Sequence, residues 1–229
     1  MPKITLFGNY YDHQDQARTD ELRYVLGRNL SNEFINHVVL IRQNITDQFN
    51  HPKISWVDLD CNTNKHNRPT FRNYFDIVSQ FKTDIAVIAN SDIFFDRTLG
   101  LLRTTADTVL ALSRYNLQAY GIRPNLPDYD PEKPGDCPIS PRGQDTWIFL
   151  GGMRFPIKNC SFSMGVYCCD WRIAYEIRNA GYHIYNPCLD IKTYHLHRHH
   201  KQTKNHGGML TGKQLHLTHS HLDDPDNHG

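Results

Sequence analysis

The chain reads as an α/β domain built on a mixed, mostly parallel sheet covered by helices. Short apolar runs suited to strands alternate with amphipathic helical segments, the pattern left by strands joined through crossover helices. A length of 229 residues is enough to bury one sizeable core.

"KITLFG" opens with a strand, and "TDELRYVLGRNLSNEF" places Leu22, Val25, Leu26, Leu30 and Phe34 at helical spacing. "HVVLI" (37–41) and "ISWVDL" (54–59) read as strands. "RPTFRNYFDIVSQF" sets Phe71, Tyr74, Phe75, Val78 and Phe81 on one helical face, with Pro69 in the first turn. The strand "DIAVIA" follows, then a short helical stretch near Leu99 to Leu102 and the strand "TVLALSRY". From Asn116 to Arg142 the chain is rich in Pro, Gly and Asp and reads as a long loop. "DTWIFLG", a helix from Trp171 to Ala180 closed by Gly181, and the strand "HIYNP" complete the domain, to residue 197. Residues 198–229 read as a His-rich, loosely packed extension.

Lys and Arg (25) nearly balance Asp and Glu (24), so no overall field favours nucleic acid or an anionic membrane. Six cysteines without CxxC pairs read as buried or free thiols in a reducing compartment, not a zinc site or disulfide scaffold. No run approaches transmembrane length, and "MPKITLFGNYY" is no signal peptide. A soluble protein of the cytoplasm, or of a host's cytoplasm if viral, is expected, and the sequons at Asn29, Asn44 and Asn159 then carry no glycan.

In parallel sheets ligands bind beyond the carboxyl ends of the strands. That rule collects Asn9, Tyr10, Asp60, Asn90, Asp92 and Arg114 on one rim. The strand "DIAVIA" breaks there into Asn90-Ser91-Asp92. Two readings stand: a turn, since all three residues favour turns, or an oxygen-rich site for Mg²⁺ or Mn²⁺ that bridges to substrate phosphates. Likewise Asp170, at the start of "CDWRIAYEIRNAGYHIYNP", serves either as a helix N-cap or as a carboxylate kept ionised to accept a proton.

Asn90-Ser91-Asp92 resembles the "DxD" element of nucleotide-sugar-dependent glycosyltransferases of the GT-A fold, in a variant with Asn first. "CDWRIAYEIRNAGYHIYNP" is similar to the later segment of inverting members, where an acidic pair precedes a helix and Gly-Tyr. Cys169 stands where the acidic neighbour is usual. "IKTYHLH" matches the place where many members supply a metal-binding histidine. The chain to His197 fits the small single-domain versions of bacteria and large DNA viruses.

The resemblance implies that Asp92 ligates Mn²⁺ or Mg²⁺, with His195 or His197 as distal ligand, and that Asn90 and Ser91 lie by the ribose or metal. It implies that Asp170 is the base of an inverting transfer from a nucleotide-diphosphate sugar, UDP favoured over GDP and dTDP, to a glycan or other hydroxyl acceptor. Asn9 and Tyr10 would hold the nucleotide, and Arg68 and Arg114 the diphosphate. In "GQDTWIF", Asp145 is a candidate for acceptor binding and the rival base, the latter leaving retention open; Trp147 offers a flat face to a sugar or belongs to the core. Two other functions compete. A sugar-phosphate nucleotidylyltransferase would carry a Gly-rich loop after the first strand, which "FGNYYDHQDQAR" is not. An inactive sugar- or nucleotide-binding domain is favoured by Cys169.

Overall fold

The computed structural model describes residues 2–43, 45, 49–60, 66–117, 139–153, 156–196 and 209–224, with backbone alone at 141 and 142. A nine-stranded mixed sheet runs through it in the order β3-β2-β1-β4-β7-β6-β9-β5, with β8 paired to β6. The parallel half consists of β1 (Ile4–Tyr11), β2 (Ile35–Gln43), β3 (Ile54–Asp58) and β4 (Ile85–Ala89). Next to β4, β7 (Ile139–Leu150) runs antiparallel and pairs in turn with β6 (Thr108–Asn116). β8 (His183–Tyr185) and β9 (Thr193–His195) lie parallel to β6, and β5 (Ile93–Phe95) closes the edge antiparallel to β9.

Period-2 alternation sends each strand's side chains to two cores. In β4, Ala86 and Ile88 join Phe7, Trp147 and the helices α2 (Phe71–Val78) and α3 (Cys169–Asn179). Ile85 and Val87 join Leu6, Leu40 and Leu22 and Leu26 of α1 (Gln16–Ser31). Both faces of the sheet are therefore covered, as the alternating sequence pattern predicts.

Four boundaries differ from expectation. α1 stops at Ser31, so Phe34 lies beyond it. α2 starts after Thr70, whose hydroxyl accepts from the Asn73 N–H while the Asn73 side chain accepts from the Thr70 N–H, so Pro69 precedes the cap. β7 begins at Ile139, inside the expected loop, whose residues 118–138 lie outside the described set. α3 is entered through Cys168 in the left-handed region (φ 67°), which places Asp170 in the first turn and not at the N-cap. Gly181, at φ +92°, ends it in the conformation that favours glycine.

The C-terminal segment 209–224 packs on the domain. Its N–H groups at Leu210 and Leu215 donate to the carbonyls of Tyr167 and Trp171, Ser220 donates to Asn186, and Leu217 enters the core. Of the tail histidines, His216, His219 and His221 are described; His199, His200, His206 and His228 lie outside. No helix among the described residues is long and apolar enough to cross a membrane.

Candidate active site

A cleft of about 580 Å³ opens at the carboxyl ends of the parallel strands, where α1, β7 and the start of α3 meet. It gathers Asn9, Asn90, Ser91 and Asp92 from the β1 and β4 ends, Arg68 from the approach to α2, Arg114 and Asp145 from β6 and β7, Asp170 from α3 and His195 from β9. His197 lies outside the described residues. Asp60 lies exposed, two residues past the end of β3, and is not part of the cleft lining.

Tyr10 is a correction. Strand alternation turns it away from Asn9, and its ring packs edge-on against Phe49 and Trp56, 2% exposed. Tyr11, on the same side as Asn9, lines the cleft in its place. Trp147 is 1% exposed and meets Phe71 edge to face, so of the two readings the core one holds.

Asn90-Ser91-Asp92 is a turn, since the Ile93 N–H donates to the Asn90 carbonyl, and all three side chains still enter the site. Asn90 Nδ2 donates to Asp145 Oδ1 at 2.5 Å, and Ser91 Oγ to Asn9 Oδ1 at 2.8 Å. Asp92 Oδ2 sits 3.1 Å from His195 Nε2 and accepts from Arg18 Nη2 at 2.5 Å. β5 brings this about: Ile93, next to Asp92, is the ladder partner of His195. Burial alone would push the Asp92 carboxyl up, but the His195 and Arg18 contacts outweigh it and hold it well below its usual range.

The two acidic rivals have different surroundings. Asp145 is the extra residue of a bulge, because the ladder steps from Leu112↔Thr146 to Ser113↔Gln144. The bulge turns its carboxylate toward Asn90 and Arg114, and Arg114 pairs with its other oxygen. Asp170 instead accepts from the backbone N–H of Gln144 at 3.1 Å. Burial raises its carboxyl, the Asp145 charge adds to the rise, and backbone N–H groups of Gln144 and Trp171 pull it back, leaving it at about 6. Cys169 is buried, which pushes its thiol up and keeps it neutral.

Arg68 Nη1 donates to the Gly165 carbonyl at 2.8 Å. A Cβ at Gly165 would meet that same nitrogen at 2.7 Å, and its φ of +77° also favours glycine. Beyond Asp170, Trp171 lines the cleft between Tyr167, which is 55% exposed, and His216, with ring centroids 4.2 Å apart in the second pair.

Arg18, Tyr11, Tyr167 and Trp171 were not among the residues expected from sequence. The legible signal for Arg18 is Glu21, one turn further on and beside Leu22 on the apolar face of α1. A carboxylate buried there calls for a cation one turn away.

Asp92 and His195 are the only expected metal ligands that the described residues bring together, and no group of three His, Cys, Asp or Glu among those residues is placed to hold an ion. Mg²⁺ and Mn²⁺ at nucleotide sites take one or two protein ligands and complete their shell with phosphate oxygens and water. Neighbouring ligands of one such ion lie about 3 Å apart, from bond lengths of about 2.1 Å at right angles. The Asp92 and His195 pair therefore fits an ion held jointly with a diphosphate.

No family model matches the chain, and no curated protein matches it by sequence. Solved structures match its fold. The mannosyltransferase PcManGT from Pyrobaculum calidifontis, in complex with GDP-Man and Mn2+, superposes with a TM-score of 0.52 at 11% identity, over 88% of this chain and 58% of its own. S. aureus TarS 1-349, in complex with UDP-GlcNAc, gives a TM-score of 0.51 at 13% identity, over 89% and 61%. The chain spans about three fifths of the length of each. The likeness is one of fold: this chain has a GT-A-like fold with a mixed, mostly parallel sheet.

Proposed function

We propose that the chain is a divalent-metal-dependent glycosyltransferase that moves a sugar from a nucleotide-diphosphate sugar to a hydroxyl acceptor with inversion. The observation that carries this reading is the division of labour among the cleft's carboxylates. Asp92 faces an imidazole at metal-ligand spacing, Asp145 is neutralised by Arg114, and Asp170 is held by backbone N–H groups with its carboxyl raised to about 6. A general base works best with such a value, ionised at neutral pH and basic enough to take a proton. The fold likeness to two sugar-nucleotide complexes supports the same reading.

The acceptor hydroxyl gives its proton to Asp170 as its oxygen bonds to the anomeric carbon. The bond from that carbon to the diphosphate breaks on the opposite face, and its electron pair leaves with the diphosphate oxygen. Mg²⁺ or Mn²⁺, held by Asp92 and His195, would supply charge neutralisation for the leaving diphosphate. Arg68, fixed on the Gly165 carbonyl, faces the same charge. Asn9, held by Ser91 and Gln43, and Tyr11 border the nucleotide end, with UDP the favoured nucleotide. Trp171 and Tyr167 form the acceptor side, directly beyond the base.

The first test is calorimetric titration with UDP, GDP and dTDP, each with Mn²⁺ and again with EDTA. Metal-dependent binding of one nucleotide is expected. Failure of all three to bind overturns the reading.

A further inference from the structure

Arg18 is a charged side chain on the cleft wall that the reading above does not use. One of its guanidinium nitrogens contacts Asp92 Oδ2 at 2.5 Å, and another pairs with Glu21, whose side chain is 1% exposed. Oδ2 of Asp92 is also the oxygen that faces His195. The oxygen best placed to bind an ion jointly with His195 is therefore already engaged by an internal cation. The cleft's other arginines are committed elsewhere, Arg114 to Asp145 and Arg68 to the Gly165 carbonyl.

We infer that Arg18 is the resident counter-ion of Asp92, that a divalent cation must displace it, and that the displaced guanidinium serves the donor's diphosphate. The inference rests on the proposed nucleotide-sugar site. A buried carboxylate without a partner is costly, so Asp92 needs a positive charge whenever no metal is present. The fork of an arginine meets that need while keeping a second anchor on Glu21. Release from Asp92 then leaves Arg18 tethered to Glu21 in the first turn of α1, with donor N–H groups able to meet phosphate oxygens in a bidentate fashion. Metal and guanidinium thus exchange places on one oxygen, and the cleft keeps both positive charges in the step that needs them.

Competition of this kind is measurable without a donor. Mn²⁺ alone is titrated calorimetrically into the wild-type protein, Arg18→Met and Arg18→Gln, with folding of each verified by its melting curve. Two variants are used so that one that fails to fold leaves the other to decide. Both are expected to bind Mn²⁺ about tenfold more tightly than wild type, since Asp92 is released. At saturating Mn²⁺, where Arg18 is displaced from Asp92, both are expected to bind the nucleoside diphosphate about tenfold more weakly than wild type. Adding Asp92→Asn to either background should abolish the gain in Mn²⁺ affinity. Equal Mn²⁺ affinity in wild type and variants overturns the competition, and undiminished diphosphate affinity at saturating Mn²⁺ overturns the phosphate contact. A wild-type protein that binds no nucleoside diphosphate at all sinks the glycosyltransferase reading instead, and the Mn²⁺ comparison still decides whether Arg18 and metal compete.

Discussion

At the residue scale the decisive contrast is between Asp170 and Asp145. The Asp170 carboxyl is raised to about 6, so the rate of transfer should fall as pH drops through that value. Asp170→Asn should lower kcat by about 10²- to 10⁴-fold while donor binding by calorimetry is kept. The same substitution should raise thermal stability. The Asp170 carboxyl lies above its ordinary 3.8, so between the two values the folded protein holds a proton that the unfolded chain has released. Stability therefore falls as pH rises through that window, and above it the cost stays, roughly 3 kcal/mol. Asparagine removes the charge and with it the cost, so the melting temperature at pH 7.5 should rise; an inactive variant that melts lower would show that Asp170 is chiefly structural. Asp145→Asn tests the neighbour. Losing that negative charge lowers the Asp170 carboxyl, so the acid limb of the pH profile should move to lower pH and activity should persist in part. Complete loss with an unmoved limb would favour Asp145 as base.

Among the elements, the smallest one does the most to assemble the site. β5 is three residues long, yet its pairing with β9 is what sets His195 opposite the end of Asn90-Ser91-Asp92. Phe94 and Tyr194 face each other in that ladder with stacked rings 5.4 Å apart, both fully buried. Phe94→Ala should cost about 3–5 kcal/mol in chemical denaturation and weaken metal-dependent nucleotide binding, because the register that holds His195 is loosened. Val78→Ala, in a buried position at the end of α2, should cost stability and leave binding unchanged. The strands and helices with a long apolar period were readable from sequence, from β1 through β4 and again in α3. β5 was not, since three apolar residues carry no period, nor was the first half of β7, which lies in text rich in Pro and Gly. The bulge that aims Asp145 depends on cross-strand register, which a single chain read in order does not display. Arg18 is hard to read from sequence because an arginine on an amphipathic helix is ordinarily solvated, and its cue is the buried Glu21 beside it.

On the scale of the whole molecule, the site lies where the parallel half of the sheet meets the antiparallel half, and its residues come from widely separated stretches of sequence. Such a site stays assembled only if the distant pieces are tied together, and segment 209–224 is one of the ties. It donates from Leu210 and Leu215 to the carbonyls at the entrance of α3, sets His216 on Trp171, and reaches the carbonyl of Ser140 in β7 through His219 Nε2 at 3.0 Å. Farther along, Leu222 N–H donates to Asp190 Oδ2 at 2.7 Å. The segment therefore bridges the acceptor wall, the strand that carries Asp145 and the turn before β9. A protein lacking residues 209–229 should unfold at lower temperature, by an amount reflecting roughly 3–5 kcal/mol from one buried leucine and several lost hydrogen bonds. Its donor binding should survive, because Asp92, His195, Arg18 and Arg68 are held by other elements, while its acceptor KM should rise as Trp171 loses His216. A shortened protein with an unchanged melting temperature and acceptor KM would show that the segment merely lies on the fold, and that α3 holds the base in place unaided.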